Sequence, residues 1–249
     1  RHFTWKRGDP QFQAGVLNGL GVVDFDGNDG IGQNDKSMHN DTANFTMFAV
    51  SRYDGTDSER VITSSENWNW LFAGHGQYHT RIAHFNGWGY QGPNLEQDNN
   101  DWHIYEVTHT NTDRGSVWLD TVNVVTNGTG SNNTDYRPKR MRFGGYATSG
   151  NEDSQCQIAE FLTFDRILSE EERLKVEGYL GQKWGLNTTM FAGNHPYLSI
   201  DPFEQTVTQG GEQASVIFYW GDNNASDNAA AWDNQQAVSG TRGTGRVSL

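Results

Sequence analysis

The sequence predicts a mainly β chain: two antiparallel sheets packed as a sandwich, one C-terminal capping helix, and part of a second β-unit beyond it. Three observations predict this. Short apolar runs alternating with period two recur along most of the chain. Turn residues separate them, with 29 Gly among 249 residues and Asn and Asp crowding the gaps. Helical periodicity is confined to one segment, Ser169 to Gly185.

The elements follow in order. From Gly21 to Asp26, Val22, Asp24 and Asp26 alternate against Val23 and Phe25, which gives a half-buried strand ending in an Asn28-Asp29-Gly30 turn. Phe45 to Tyr53 is a second strand, and Trp68 to Phe85 a hairpin turning near Gly74 to Gln77. His103 to His109, Ser116 to Val125 and Met141 to Tyr146 continue the series, and the strand Ile158 to Phe164 runs directly into the helix. There Ser169 is the N-cap and Glu172, three residues on, completes a capping box. Glu170 and Glu171 suit the positive end of the helix dipole. Val176, Leu180 and Trp184 recur every four residues on one face, and Lys183 with Gly185 marks the stop. Strand spacing of this order fits two packed antiparallel sheets. Beyond Gly193 the pattern breaks, and His195-Pro196 and Asp201-Pro202 mark a linker. The expected boundaries are 1–197 for the sandwich, 198–202 for the linker and 203–249 for a second β-unit with a strand at Ser215 to Trp220.

Composition excludes several classes. A formal net charge of −13 argues against nucleic acid, which needs a concentrated basic patch. Only Arg137, Lys139, Arg140 and Arg142 cluster, and strand alternation splits them between two faces. The acidic balance leaves divalent cations as ligands. No apolar run is long enough to span a membrane, and the N-terminal residues lack a signal-peptide layout; if the protein is exported, its signal has been removed or lies upstream. The single Cys156 rules out an internal disulfide and reads as a buried structural thiol rather than a nucleophile. Sequons at Asn40, Asn44, Asn127, Asn132, Asn187 and Asn224 mark surface turns.

The stretch Ile158 to Leu186 carries Arg166, Leu168, Ser169, Glu172, Tyr179, Leu180, Lys183, Trp184 and Gly185 in the pattern R-x-L-S-x-x-E…YL-x-x-KWG. With the early strand Leu17 to Gly30, it resembles the laminin G-like, concanavalin A-like jelly rolls of large secreted or surface proteins of bacteria. The resemblance covers roughly residues 15 to 197 and implies a jelly-roll sandwich at an extracellular or cell-surface location. Such domains begin with a strand upstream of the FDG strand. Only Arg1 to Gln13 precede it here, so the chain is expected to be a fragment or processed product with its first strand missing. The segment VIFYWGDNNASDNAAAWDN resembles the start of an immunoglobulin- or fibronectin-like module, and residues 203–249 fall short of the roughly 100 residues such a sandwich needs.

Catalytic patterns are poorly served. Beta-glucanases of this fold use E-x-D-x-x-E on a strand. The nearest match, Glu96, Asp98 and Asp101, has a shorter third acid and polar spacers, which favours a solvated loop. No Ser-His-Asp signature, His-Glu-x-x-His helix or phosphate loop is present. His75, His79 and His84 lie close in sequence, yet on a strand His75 and His79 would sit about 13 Å apart, too far to grip one ion unless a turn intervenes.

Calcium is the cofactor to consider, in a structural role, since related domains bind it at strand ends. Asp24, Asp26, Asn28, Asp29 and Asp35 miss the glycine and the bidentate Glu of an EF-hand. Glu160 shares a strand face with Ile158, Leu162 and Phe164, and a carboxylate among core residues needs a cation or hydrogen bonds. The alternatives are calcium shared with Asp26 or Asp29, an ion pair with Arg142, or a solvated strand edge.

Aromatic residues carry the ligand-binding signal. Trp68, Trp70, Tyr78, Trp88 and Tyr90 sit in or beside Gly- and Asn-rich segments, where ring faces stack on sugar rings while His75 and nearby amides bond hydroxyls. One of Trp68 and Trp70 is expected to be buried with Phe72. The expectation is therefore a non-catalytic glycan-binding or adhesion module of a larger secreted or cell-surface protein, its partner a glycan or cell-surface polysaccharide. The alternative is a structural assembly module of a surface layer or filament, partnered by other copies or domains of the same protein.

Overall fold

The computed structural model describes residues 3, 5–33, 44–64, 70–76, 82–85, 88–90, 100–110, 115–125, 140–146, 152–191, 193–199, 215–216 and 247–248. Two seven-stranded sheets form the sandwich, and every pairing within them is antiparallel. The first sheet runs β1 (Trp5–Arg7), β4 (Gly30–Gly32), β13 (Met141–Phe143), β6 (Ile62–Ser64), β7 (Trp70–Phe72), β8 (Ala83–Phe85) and β9 (Trp88–Tyr90). The second runs β12 (Val122–Val125), β11 (Val117–Leu119), β10 (His103–His109), β5 (Phe45–Ser58), β14 (Ser154–Phe164), β3 (Leu20–Asp26) and β2 (Gln11–Leu17).

Residues 5–17 supply an edge strand to each sheet, β1 against β4 and β2 against β3. Strands are thus present upstream of Gly21, where the first one was expected to be missing. The expected single strand Ser116 to Val125 is a hairpin instead. Asp120 and Thr121 adopt positive φ of 50° and 67° between paired Leu119 and Val122, the twist that a two-residue hairpin turn requires. The Asp120 carboxylate fixes that turn to β10, accepting the Ile104 N–H at 2.9 Å and meeting His103 Nδ1 at 2.8 Å.

Between the sheets lies the larger core, built on Phe45, Met47, Trp70, Phe72, Tyr105 and Phe143. The second sheet is buried on its outer face as well. There Phe48, Val50, Ile104 and Leu162 meet Val176, Leu180 and Trp184 of helix α1 (Glu170–Trp184). Burying each such aliphatic side chain contributes about 1.5–3 kcal/mol, so this face depends on the helix. One bulge decides which residues face which way. Ile158 pairs with Ser51 and Glu160 with Val50, so Ala159 is unmatched and the alternation flips. Ile158 joins the inter-sheet core, whereas Leu162 lies on the helix side, and Glu160 goes with Leu162 rather than with Ile158.

The helix ends as its sequence predicts. Ser169 Oγ accepts the Glu172 N–H at 3.3 Å, and Glu172 Oε2 accepts the Ser169 N–H at 2.9 Å. Arg166 forks onto the same carboxylate with two bonds of 2.7 Å, and these partners hold Glu172 down to about 2. At the other end Gly185 takes φ 70°, and the Leu186 N–H reaches Gly181 O at 2.8 Å, a Schellman closure. The short helix α2 (Asn187–Met190) follows. The chain then stays on α1, since Asn187 Nδ2 and Gln182 Nε2 donate to Leu198 O at 2.7 and 3.3 Å. His195, read from sequence as a linker mark, is buried. Of the second unit, β15 (Ser215–Val216) pairs with β16 (Val247–Ser248). The rest of the expected strand Ser215 to Trp220 lies outside the described residues.

Candidate functional site

Strand register gathers polar side chains at one rim of the sandwich. Ile62 pairs with both Phe72 and Phe143. The chain entering β6 at Glu59 and Arg60 therefore lies beside the chain leaving β7 at Gly74 and His75, and beside the chain leaving β13 at Tyr146. Backbone bonds fix the join, with Gly144 N–H on Val61 O at 2.9 Å and Ser154 N–H on Gly144 O at 2.9 Å.

The side chains are held in turn. Arg60 bonds the Glu152 carboxylate through Nε and Thr63 Oγ1 at 3.2 Å through Nη1, and its guanidinium lies 4.2 Å from the centre of the Tyr146 ring. Tyr53 Oη donates to Glu59 O at 2.8 Å, and His75 Nε2 faces Glu59 Oε2 at 3.6 Å. Gly74, at φ 109°, lets the turn pass Tyr53, because a Cβ there would stand 2.9 Å from Tyr53 Oη. Glu59 and Glu152 keep 45% and 40% of their side-chain surface in solvent, so the rim presents carboxylate acceptors beside the half-buried Tyr146 ring, while Arg60 is buried beneath them.

The residues singled out in the sequence scatter with respect to this rim. His75 is in it. Trp70 is wholly buried in the inter-sheet core, with no ring face open to a ligand, because β7 turns Trp70 and Phe72 inward together. Trp88 stands in register with His84, and Tyr90 with Ala83, on β9 at the edge of the first sheet. Trp68, Tyr78 and His79 lie outside the described residues, as do Glu96 and Asp98 of the acidic triad; Asp101 is exposed. Cys156 is buried, and that burial pushes its thiol up, away from the reactive thiolate.

The expected calcium ligands do not converge. Asp26 pairs with Gln155, and Glu160 lies five residues further along β14, about 16 Å away at 3.3 Å per residue, so no single ion joins them. Among the described residues no three His, Cys, Asp or Glu side chains are grouped as an ion would require. Each acid has other partners. Glu160 accepts from Tyr179 Oη at 2.9 Å and Trp184 Nε1 at 2.7 Å and pairs with Lys183 Nζ at 3.0 Å, all from α1. Arg142, the other proposed partner, lies on the first sheet over the Trp5 ring at 3.5 Å. Asp29 accepts the Asp9 N–H at 2.6 Å and the Asp26 N–H at 3.3 Å, and Asp26 accepts the Asn28 N–H at 2.8 Å. Positive charge at this strand end comes from Arg7, which donates to Asn28 O at 3.0 Å and pairs with Asp153. Burial nonetheless pushes the Asp153 carboxyl up from its ordinary value.

Sequence reasoning missed Glu59, Arg60, Tyr146 and Glu152. Their only signal is position, since each lies in a turn or irregular segment flanking a strand.

No family model matches the chain, and no curated protein matches it. Solved structures do align with it. Domain 4 of AbnA, an extracellular arabinanase of Geobacillus stearothermophilus solved with arabinotriose, aligns at 11% identity and a TM-score of 0.46, over 65% of this chain and 78% of that one. Botulinum neurotoxin type C, whose cell entry is described as dependent upon interaction with two ganglioside molecules, aligns at 15% identity and a TM-score of 0.44, over 71% of this chain and 46% of that one. Trypanosoma rangeli sialidase aligns at 14% identity and 0.40, over 60% of this chain and 26% of that one. This chain thus spans less than half of the toxin and sialidase chains.

Proposed function

We propose that the sandwich is a non-catalytic glycan-binding module of a larger secreted or cell-surface protein, and that saccharide is taken at the rim around Arg60 and Tyr146. The observation that carries the reading is the rim itself. A half-buried tyrosine ring fixed from one side by the buried Arg60 guanidinium, with a histidine and two solvent-facing carboxylates at the same end, offers the mixture of ring and fixed polar groups that sugar C–H faces and hydroxyls need. Both rim carboxylates already face cationic or imidazole partners. A glycosidase acid needs an apolar setting that keeps it protonated, so this arrangement suits binding rather than proton transfer.

The test is binding on a broad glycan array followed by titration calorimetry with the best ligand. Tyr146→Ala and His75→Ala should weaken binding by up to about tenfold each, the worth of one stacking or hydrogen-bonding contact, with the melting temperature little changed. Absence of binding to every glycan would sink the reading, as would turnover of a bound glycan. Ordered polymers in electron micrographs would then favour the assembly alternative, which has one feature of its own in Phe12, 73% exposed on edge strand β2.

A further inference from the structure

Outside the rim, a charged cluster is sealed between α1 and the second sheet. Glu106 sits on β10, in register with Phe48 of β5 and Trp118 of β11, and is 1% exposed. Arg173 of α1 reaches across it, bonding Glu177 Oε1 and standing 3.4 Å from Glu106 Oε2, with its guanidinium 4.6 Å from the Trp118 ring centre. Glu177, also 1% exposed, faces His195 Nε2 at 3.0 Å through its second oxygen. His195 Nδ1 accepts the Tyr197 N–H at 3.2 Å, so the imidazole carries its hydrogen on Nε2 and donates it to Glu177. The two carboxyl groups thus meet at one nitrogen, Arg173 Nη1.

Two deficits follow. With both carboxyl groups ionised, one guanidinium faces two negative charges in a space closed to water, where an uncompensated charge is costly. No donor among the described residues reaches Glu106 Oε1, which is fully buried. A single proton held by the pair cancels the excess charge and gives the Glu106 carboxyl a hydrogen of its own to donate.

We propose that Glu106 and Glu177 share one proton in the folded protein and that this proton is a pH-sensitive latch, holding α1 on the second sheet and releasing it when the proton is lost as pH rises. The groups facing the pair are Arg173 from α1 and His195, with Tyr197 beside it, from the segment after α2; Trp118 and Phe48 bring no charge. Burial first, and the neighbouring Glu177 charge second, push the Glu106 carboxyl well above the ordinary value of 4.5. The folded state therefore keeps a proton that the unfolded chain gives up near 4.5. The stabilisation is complete below that pH and is lost as pH rises through the raised folded value. Release would uncover Phe48, Val50, Ile104 and Leu162.

The experiment is urea unfolding across pH for the wild-type chain and Glu106→Gln, which keeps the shape and a donor but carries no titrating proton. Above the ordinary Glu range the wild-type folding constant should fall relative to the variant by about tenfold per pH unit until the folded carboxyl ionises. Amides of α1 should lose exchange protection over the same range in the wild type alone. Parallel pH profiles for the two proteins would overturn the proposal. Should Glu106→Gln not fold, carbon-13 titration of the wild-type Glu106 carboxyl decides: a midpoint well above the ordinary 4.5 supports the latch, a midpoint at or below it refutes it.

Discussion

Glu160 is 2% exposed, and its three partners, Tyr179, Lys183 and Trp184, all come from α1. That a carboxylate placed here needs a cation or hydrogen bonds is legible in the sequence; which groups provide them is not, because the bulge at Ala159 moves Glu160 onto the helix side. Glu160→Leu should cost about 3–5 kcal/mol in urea unfolding, since it strands a lysine, an indole N–H and a phenol against an apolar side chain. Glu160→Gln keeps an acceptor and should cost less. Equal losses would mean that packing, not the polar bonds, holds this site. Glu106 poses the same problem with a different answer, because its neighbours include a second carboxylate and only a proton balances the charge.

Elements divide by how local their signals are. The α1 boundaries were readable residue by residue, because capping box and αL closure are set within a few positions of the chain: Ser169 to Glu172 at one end, Gly181 to Leu186 at the other. Gly185→Ala should destabilise the fold by about 1 kcal/mol in thermal or urea unfolding, through the positive φ and a Cβ that would meet Asn18 Cγ at 3.1 Å. No measurable loss would show that the C-cap shifts without cost. The β11–β12 hairpin was illegible by contrast. Its turn, Asp120-Thr121, lacks the usual Asn-Gly pair and owes its position to bonds with His103 and Ile104 on another strand.

At the scale of the molecule, α1 serves as a third layer. Removing it would leave Phe48, Val50, Ile104 and Leu162 on an open sheet face. A chain ended after Arg166 should therefore bind a hydrophobic dye such as ANS and lose its cooperative melt, whereas one ended after Ser199 should do neither. Dye binding by the longer chain would show that residues beyond 199 also cover this face.

The sequence by itself determined the β-sandwich class, the existence and ends of the helix, and the start of the strands at Phe45, His103 and Met141, because period and capping act over a few residues. Only the tertiary structure decided what each face meets. It put Trp70 in the core, separated Asp26 from Glu160, drew Glu59, Arg60, Tyr146 and Glu152 to one rim, and closed Glu106 against Glu177 across 71 positions of chain. The physical reason is that register and bulges fix side-chain neighbours through pairing with distant strands, and no local pattern encodes the partner.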